Sequence, residues 1–332
     1  MLSKNLKRII LITVDFFFSA FIFYINASWK NPFYTCFILS LITFLFVLIP
    51  FEVYWSFRDI WFDRWNNINL KNIHVEKISI SVDGGSLSGA IYQLKISNST
   101  HLSQNKPIII ISQGFSDLKE DLEYFFLPIV NFGYPVLAYD ARGTGESKKV
   151  GKKADIKNRI NDFLHIVRWI QNNDKLGNKE IYTAGFSIGA LTILCGGFPL
   201  EEIKKIFAVS AIADFRENIP RFNPIVWLRY FFKGIHQFPS EETNLTISPY
   251  HVIKKYKDQI FSGSEVEWKE FTKKVMLVHT KNDRVVKFKN FIKNKEILCL
   301  NDNNTLVFNK GGHVLKKNEL TLVTLALNFF KN

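Results

Sequence analysis

Two long apolar runs open the chain. Residues 9–25 are apolar apart from three polar positions, of which Asp15 is charged, and residues 33–51 contain no charged residue. A helix needs about 20 apolar residues to cross a bilayer. The pattern predicts two transmembrane helices within residues 1–51, joined by a short polar loop at residues 30–32.

Farther along the chain, short apolar segments alternate with turns. Residues 77–82 alternate between polar and apolar, an Asp-Gly-Gly turn follows, and residues 87–94 return, which predicts a β-hairpin. Strand-like runs then alternate with helical segments such as residues 155–172, and this predicts a mainly parallel sheet flanked by helices. We assign residues 52–75 to an aromatic-rich interfacial linker and residues 76–332 to this α/β domain.

The segment GFSIG at residues 185–189 lies between a predicted strand, residues 181–184, and a predicted helix, residues 190–194. On such a turn a strained backbone lifts the serine hydroxyl out of the sheet, and the flanking glycines let strand and helix approach closely. An ordinary glycine turn has the same composition. The rest of the chain must therefore decide whether Ser187 is a nucleophile.

A serine hydroxyl needs a base, and the base needs an orienting acid. Asp283 follows the predicted strand at residues 275–280, and His313 follows the predicted strand at residues 305–308. Both lie, like Ser187, just past the carboxyl end of a strand, where open α/β sheets bind ligands. The order Ser, Asp, His is that of α/β-hydrolases.

Two further segments agree with this order. Residues 107–112 form a predicted buried strand that ends in Gln113-Gly114-Phe115, and residues 135–139 form another that ends in DARGTGES, residues 140–147. From about residue 76 onward the sequence therefore resembles the α/β-hydrolase superfamily, on its lipase and esterase side, including monoacylglycerol lipases and carboxylesterases. It departs from the family at Gln113, where a histidine is usual, and at Thr280, where many members have glycine.

The resemblance implies the following site. Ser187, His313 and Asp283 would form a catalytic triad, and the backbone N–H groups of Phe115 and Ile188 would form the oxyanion hole. No metal or organic cofactor is implied.

The resemblance also implies a helical cap inserted at about residues 215–272. This segment interleaves aromatic and basic residues, which suits either a lid over an acyl pocket or a helical insertion packing its own apolar face. Asp214 follows the strand predicted at residues 206–212 and is a rival for the acid of the triad, because some lipases place the acid there.

The composition of the chain limits the classes of molecule that it is expected to bind. The formal net charge is +13, but the basic residues are spread along the chain and no nucleic-acid motif accompanies them, so a membrane surface with anionic lipids is the better partner. The three cysteines show no disulfide-like or metal-ligand spacing, which indicates reduced structural thiols.

Basic residues flank the predicted hairpin on both outer sides, whereas the loop between the helices carries only Lys30; the flanking residues are Lys4, Lys7, Arg8, Arg58, Arg64 and Lys71. The positive-inside rule then places both ends, and the catalytic domain, in the cytoplasm. The alternative is a signal peptide over the first run, with a basic start and small residues at 26–28.

These observations predict a membrane-anchored serine hydrolase that cleaves lipid-like acyl esters, with a hydrophobic acyl substrate and the lipid bilayer as partners. Three alternatives stay open. They are a protein or acyl-CoA thioesterase that removes palmitoyl groups, a serine peptidase, and a non-catalytic homologue that binds a lipid or a protein partner.

Overall fold

The computed structural model describes residues 4–61, 70–95, 106–115, 117–219 and 239–331. The chain divides into two compact units, Met1–Asn67 and Ile68–Asn332. Residues 62–69, which belong to the predicted linker, lie outside the described ranges.

The first unit is a helical hairpin. Helix α1 spans Lys4–Ser28 and helix α2 spans Phe33–Trp61. The two helices pack on each other where the Ser40 hydroxyl donates a hydrogen bond of 2.7 Å to the Ser19 carbonyl. Asp15, one turn before Ser19, is buried with it.

Both helices meet the length and composition of a membrane span, over Ile9–Ser28 and Phe33–Tyr54. Only 11% and 6% of these windows are buried, whereas the core helix of a soluble domain is mostly buried. A signal sequence near an N-terminus meets the same criteria.

The second unit is built on an eight-stranded sheet. Its strands in chain order are β1 Ile73–Val82, β2 Gly85–Leu94, β3 Ile108–Ser112, β4 Val136–Tyr139, β5 Ile181–Phe186, β6 Ile203–Val209, β7 Val275–Thr280 and β8 Thr305–Phe308. Their spatial order is β1-β2-β4-β3-β5-β6-β7-β8. The pairs β1/β2 and β2/β4 are antiparallel and every other pair is parallel, which confirms the predicted hairpin and mainly parallel sheet.

Helices cover both faces of this sheet. They are α3 Glu123–Asn131, α4 Ile156–Gln171, α5 Ile188–Gly196, α6 Phe215–Asn218, α7 Glu241–Ile247, α8 Pro249–Ile260, α9 Glu265–Thr272, α10 Lys289–Ile297 and α11 Glu319–Lys331. Helix α4 begins after Asp155, whose carboxylate accepts the Asn158 N–H at 3.1 Å, as an N-cap residue does.

Strand β3 shows how the core is divided. Ile108 and Ile110 point to one face of the sheet, where they pack in a cluster with Phe163 of α4. Ile109 and Ile111 alternate to the other face, into a cluster that contains Phe125 of α3. Because both faces are covered, the central parallel strands are continuous apolar runs.

The ends of several strands differ from the sequence prediction. Strand β1 begins at Ile73 rather than Lys77, and β6 ends at Val209 rather than Ile212. Strand β6 ends early because Ser210 has a φ of 50°, which is incompatible with an extended strand.

In the predicted cap segment, the described residues form helices α6 to α9. Residues 220–238 lie outside the described ranges; they include Phe222, Trp227, Tyr230, Phe231, Phe232, Phe238, Arg221, Arg229 and Lys233.

Candidate active site

Ser187 lies on the turn between β5 and α5. Its backbone has φ 55° and ψ −114°, a conformation that a non-glycine residue rarely adopts. Its N–H donates to the Val209 carbonyl at 2.9 Å, which ties the turn to the end of β6. The strained turn predicted from the sequence is therefore present at the carboxyl edge of the sheet, and Ser187 is half-buried there.

The glycines of this turn are required by close contacts. A Cβ atom at Gly185 would lie 2.6 Å from the Gly189 carbonyl oxygen. A Cβ atom at Gly189 would lie 2.0 Å from the Ser112 carbonyl oxygen and 2.6 Å from that of Gln113. The start of α5 thus packs directly on the loop that follows β3.

Asp283 and His313 form a pair at the same edge. His313 Nδ1 lies 2.8 Å from Asp283 Oδ2, and because a carboxylate only accepts, Nδ1 is the donor. The other carboxylate oxygen, Oδ1, accepts the N–H groups of Val285 and Val286 at 2.8 and 2.9 Å. This arrangement leaves His313 Nε2 as the ring nitrogen that can accept a proton.

The environment keeps Asp283 ionised. Burial by itself raises the pKa of this carboxyl, but the hydrogen bond from His313 and the two backbone donors outweigh it and lower the pKa below its usual value. Behind it, His279 donates from Nε2 to the Val286 carbonyl at 2.9 Å, and burial lowers the pKa of His279. A neutral His279 therefore braces the loop that carries Asp283.

The hydroxyl of Ser187 forms no hydrogen bond with His313 among the described residues. The loops that carry Ser187 and His313 are instead linked at the end of β6. The Val209 carbonyl accepts the Ser187 N–H, and the hydroxyl of the next residue, Ser210, lies 3.5 Å from the His313 carbonyl oxygen. Catalytic hydrogen bonds are often long in the absence of substrate.

Asp214 has different partners. Its Oδ2 accepts from His251 Nε2 at 3.1 Å, and its Oδ1 accepts from Asn244 Nδ2 and from the Glu217 N–H, each at 3.1 Å. Asp214 therefore holds the base of the cap segment and orients His251 rather than His313.

The predicted oxyanion donors lie on two adjoining elements. Ile188 is the first residue of α5, and the first N–H groups of a helix have no partner within it. Phe115 follows β3 in the loop braced by Gln113, whose Nε2 donates to the Asp117 carbonyl at 2.8 Å and to Thr144 Oγ1 at 3.2 Å. Gln113 thus links the loops after β3 and β4.

The DARGTGES turn, residues 140–147, is held by buried ion pairs and hydrogen bonds. Arg142 forms a buried ion pair with Asp162, with 2.7 Å between Nε and Oδ2. The Asp140 carboxylate accepts a hydrogen bond of 2.8 Å from the Lys119 ammonium and one of 3.0 Å from the Glu146 N–H. These contacts fix the turn beside the oxyanion loop.

The sequence analysis missed Arg159. This arginine is 3% exposed, and its Nη2 donates to the carbonyls of Gln113 at 3.2 Å and Gly114 at 3.0 Å. One sequence signal pointed to it, since Arg159 falls on the apolar stripe of α4, three residues after Ile156 and four before Phe163.

A separate apolar cluster lies around the nucleophile turn. It joins the start of α5, the loop after β6, the cap helices and the loop after β7; its buried members are Ile156, Ile188, Leu191, Cys195, Ile212, Phe215, Ile219, Ile247 and Val286. Phe115 packs against it from the oxyanion loop. Cys36, Cys195 and Cys299 are free thiols, and the described ranges contain no metal-binding group of three or more His, Cys, Asp or Glu residues.

Comparisons with known proteins find similarities in sequence and in fold. The sequence model of the X-Pro dipeptidyl-peptidase (S15) family matches residues 92–248, which end within the cap segment. An esterase from Pyrococcus furiosus superimposes with a TM-score of 0.54 at 20% identity, over 80% of this chain and 96% of that one. A comparison with curated protein sequences finds no match.

Peptidases are also similar in structure. An acylaminoacyl peptidase from Pyrococcus horikoshii superimposes with a TM-score of 0.56 at 15% identity, over 79% of this chain and 42% of that one. Dipeptidyl peptidase 4 from Porphyromonas gingivalis gives a TM-score of 0.56 at 18% identity, over 79% and 36%. The chain thus spans less than half the length of these peptidases.

At these identities the structural likeness establishes the fold. The chain therefore has the α/β-hydrolase fold, and part of its sequence, residues 92–248, is similar to the S15 peptidase family.

Proposed function

We propose that this chain is a membrane-anchored serine hydrolase that cleaves lipid-like acyl esters through Ser187, His313 and Asp283. One observation carries the proposal. The hydrogen-bonded pair of Asp283 and His313 lies at the same sheet edge as the strained serine turn, and β6 links the two loops.

In the proposed reaction, His313 Nε2 takes the proton of the Ser187 hydroxyl, whose oxygen attacks the ester carbonyl carbon. Asp283 holds the imidazole in the required tautomer and stabilises the imidazolium. The tetrahedral intermediate collapses, His313 protonates the leaving alkoxide, and an acyl-serine remains. Water activated by His313 then releases the carboxylic acid and regenerates the serine.

The negative oxygen of each tetrahedral intermediate would be stabilised by the backbone N–H groups of Phe115 and Ile188. Removing one such donor typically lowers kcat by about 10²–10³. The close packing of Gly189 on the Ser112 and Gln113 carbonyls supports this role, because it brings the two donor segments together.

The apolar cluster supports an acyl substrate. Ile188 and Leu191 come from the nucleophile helix, Val286 from the acid loop and Phe115 from the oxyanion loop. The first three side chains are buried, whereas Phe115 is half-buried and offers an accessible apolar surface. A hydrocarbon chain gains about 0.8 kcal/mol for each CH₂ group that it buries against apolar surface.

The helical hairpin supports a membrane location. Its spans are apolar and mostly exposed, and basic residues flank it on both outer sides. By the positive-inside rule we propose a cytoplasmic hydrolase domain. A membrane anchor would place the domain next to lipid substrates.

A serine peptidase is the second candidate, and the S15 family match favours it. Peptide hydrolysis uses the same nucleophile and base, so the site geometry does not separate the two. A thioesterase that removes acyl groups from protein cysteines or from acyl-CoA would use the same residues as well.

A substrate panel tests these candidates directly. The full-length chain in detergent is assayed against acyl esters of increasing chain length, the matching thioesters, and X-Pro and acylaminoacyl amides, with Ser187→Ala as the control. We expect Ser187-dependent ester hydrolysis that increases with chain length. Cleavage of the amides with higher kcat/KM than the esters would favour the peptidase.

A further inference from the structure

Arg159 lies behind the oxyanion loop and touches its backbone. Its side chain is almost fully buried, and Nη2 donates to two successive carbonyls, those of Gln113 and Gly114. Burying a guanidinium is costly, and Nη1 of Arg159 is buried without a hydrogen-bond partner among the described residues. A charged group at this position therefore indicates a role that an apolar residue would not fill.

The Gly114 carbonyl and the Phe115 N–H belong to one peptide unit. The described peptide bonds are trans, so the C=O and N–H of this unit point in opposite directions. Arg159 binds the Gly114 carbonyl, so this carbonyl points toward Arg159. The Phe115 N–H of the same peptide unit then points in the opposite direction, away from Arg159. This N–H is the proposed oxyanion donor.

The preceding peptide unit is held as well. Arg159 binds its Gln113 carbonyl, and Asp117 Oδ2 accepts its Gly114 N–H at 3.1 Å. The Asp117 carbonyl is held in turn by Gln113 Nε2 at 2.8 Å. Gly114 has no side chain to fix the loop, so these hydrogen bonds define its conformation.

Arg159 also contributes a charge. It forms no ion pair within the described part of the chain, because the nearby Asp162 is bonded to Arg142. Burial lowers the pKa of Arg159, but a guanidinium stays charged at neutral pH. A positive charge on the carbonyl end of a peptide polarises that peptide and strengthens hydrogen bonding by its N–H.

We propose that Arg159 is a positioning residue of the oxyanion hole, which orients and polarises the Gly114–Phe115 peptide so that the Phe115 N–H stabilises the negative oxygen of the intermediate. The proposal rests on the proposed function of this site. It adds a residue from α4 to a site otherwise built from the loops at the strand ends and the start of α5.

The test compares an acyl ester with its thionoester, in which sulfur replaces the carbonyl oxygen. Sulfur is a weak hydrogen-bond acceptor, so the thionoester depends less on the oxyanion hole. Arg159→Met should lower kcat for the ester about 10–100-fold, somewhat less than direct loss of a donor. The thionoester should lose about threefold or less and KM should stay within about twofold, so the ratio of the two rates falls.

Arg168→Met is the matched control, since Arg168 is exposed on the same helix and should leave both rates unchanged. Arg159→Lys keeps the charge but lacks the planar fork that reaches two carbonyls. Arg159→Lys should lower the ester-to-thionoester rate ratio less than Arg159→Met does. If the methionine variant does not fold, the lysine variant is used for the test.

The outcomes are distinct. If the ester-to-thionoester rate ratio of a folded Arg159 variant is unchanged, even where both rates fall equally, the proposed role of Arg159 is wrong. Ser187-dependent hydrolysis would still stand. If the wild-type chain and Ser187→Ala hydrolyse the ester equally, the proposed function itself is wrong.

Discussion

The Thr280 hydroxyl donates a hydrogen bond to the carbonyl of Gly312, the residue directly before His313. The Gly312 N–H donates to Asn282 Oδ1 at 2.9 Å, so the end of β7 and the acid-bearing loop after it hold both backbone groups of this glycine. Gly312 has a φ of 63° in the left-handed region, which suits glycine. Thr280, which departs from the family pattern, therefore connects the loop of Asp283 to that of His313.

Replacing Thr280 by valine should misplace His313. The substitution leaves the Gly312 carbonyl without its donor in a partly buried site, at a cost of about 1 kcal/mol. We expect the thermal midpoint to fall and kcat to decrease about 3–10-fold, with KM little changed, because about 1.4 kcal/mol corresponds to a factor of ten in rate. Thr280→Ser keeps the hydroxyl and should restore most of kcat; a serine variant as impaired as the valine variant would assign Thr280 to packing instead.

Ser187→Ala should abolish covalent labelling by a fluorophosphonate probe. Loss of the nucleophile in a serine protease lowers kcat by about 10⁶, and we expect a loss of hydrolysis below detection here. The fold should persist, because alanine fits the space of serine, and circular dichroism will check this. Equal labelling of the variant and the wild type would contradict the assignment of the nucleophile.

Asp283→Asn should lower turnover far more than Asp214→Asn. Asparagine preserves the shape of the side chain but stabilises the wrong tautomer of His313, and such a change costs about 10⁴ in a serine-protease triad. Asp214 bonds His251 instead, so its substitution should change kcat less than about tenfold, within the range of a structural effect of about 1 kcal/mol. Steady-state kinetics of the two purified variants decide between them, and rates in the reverse order would refute the role of Asp283.

Stability in acid should depend on Asp214. Although burial raises its pKa, the Glu217 N–H, Asn244 and His251 outweigh that effect and lower the pKa below its usual value. A carboxyl with a lower pKa in the folded state stabilises the fold above its unfolded pKa of about 3.9 and loses that contribution as the pH falls through the folded value. Asp214→Asn should therefore show a shallower loss of thermal midpoint below about pH 4 than the wild type, and identical acid profiles would count against this network.

The helical hairpin should keep the chain in membranes when surface charges are screened. Apolar insertion does not depend on ionic strength, whereas attraction to anionic headgroups does. We expect the full-length chain to stay in the membrane pellet after high salt and alkaline carbonate, and to be released by detergent. Recovery in the carbonate supernatant would show that the hairpin does not span the bilayer.

Local patterns were sufficient for most of the fold. The buried runs at β3 and β5, the cap of α4 by Asp155 and the glycine-flanked Ser187 are each determined by residues close in sequence, because strand pairing on two covered faces and tight turns impose residue types directly. The parallel orientation of most strands also follows from the alternation of strands and helices, since parallel strands need crossover connections. The spatial order, in which β4 lies between β2 and β3, comes from the tertiary structure. The early end of β6 at Val209 was not predictable, because the conformation of Ser210 is imposed by its neighbours.

The sequence by itself determined that a serine, two candidate aspartates and a histidine would meet at one edge of a parallel sheet. Only the tertiary structure decided that Asp283 bonds His313 while Asp214 bonds His251, and that Arg159 holds the Gly114 carbonyl. The reason is physical. Periodicity and turn residues act over a few positions, whereas a hydrogen bond depends on distances of a fraction of an ångström between loops that are far apart in the chain.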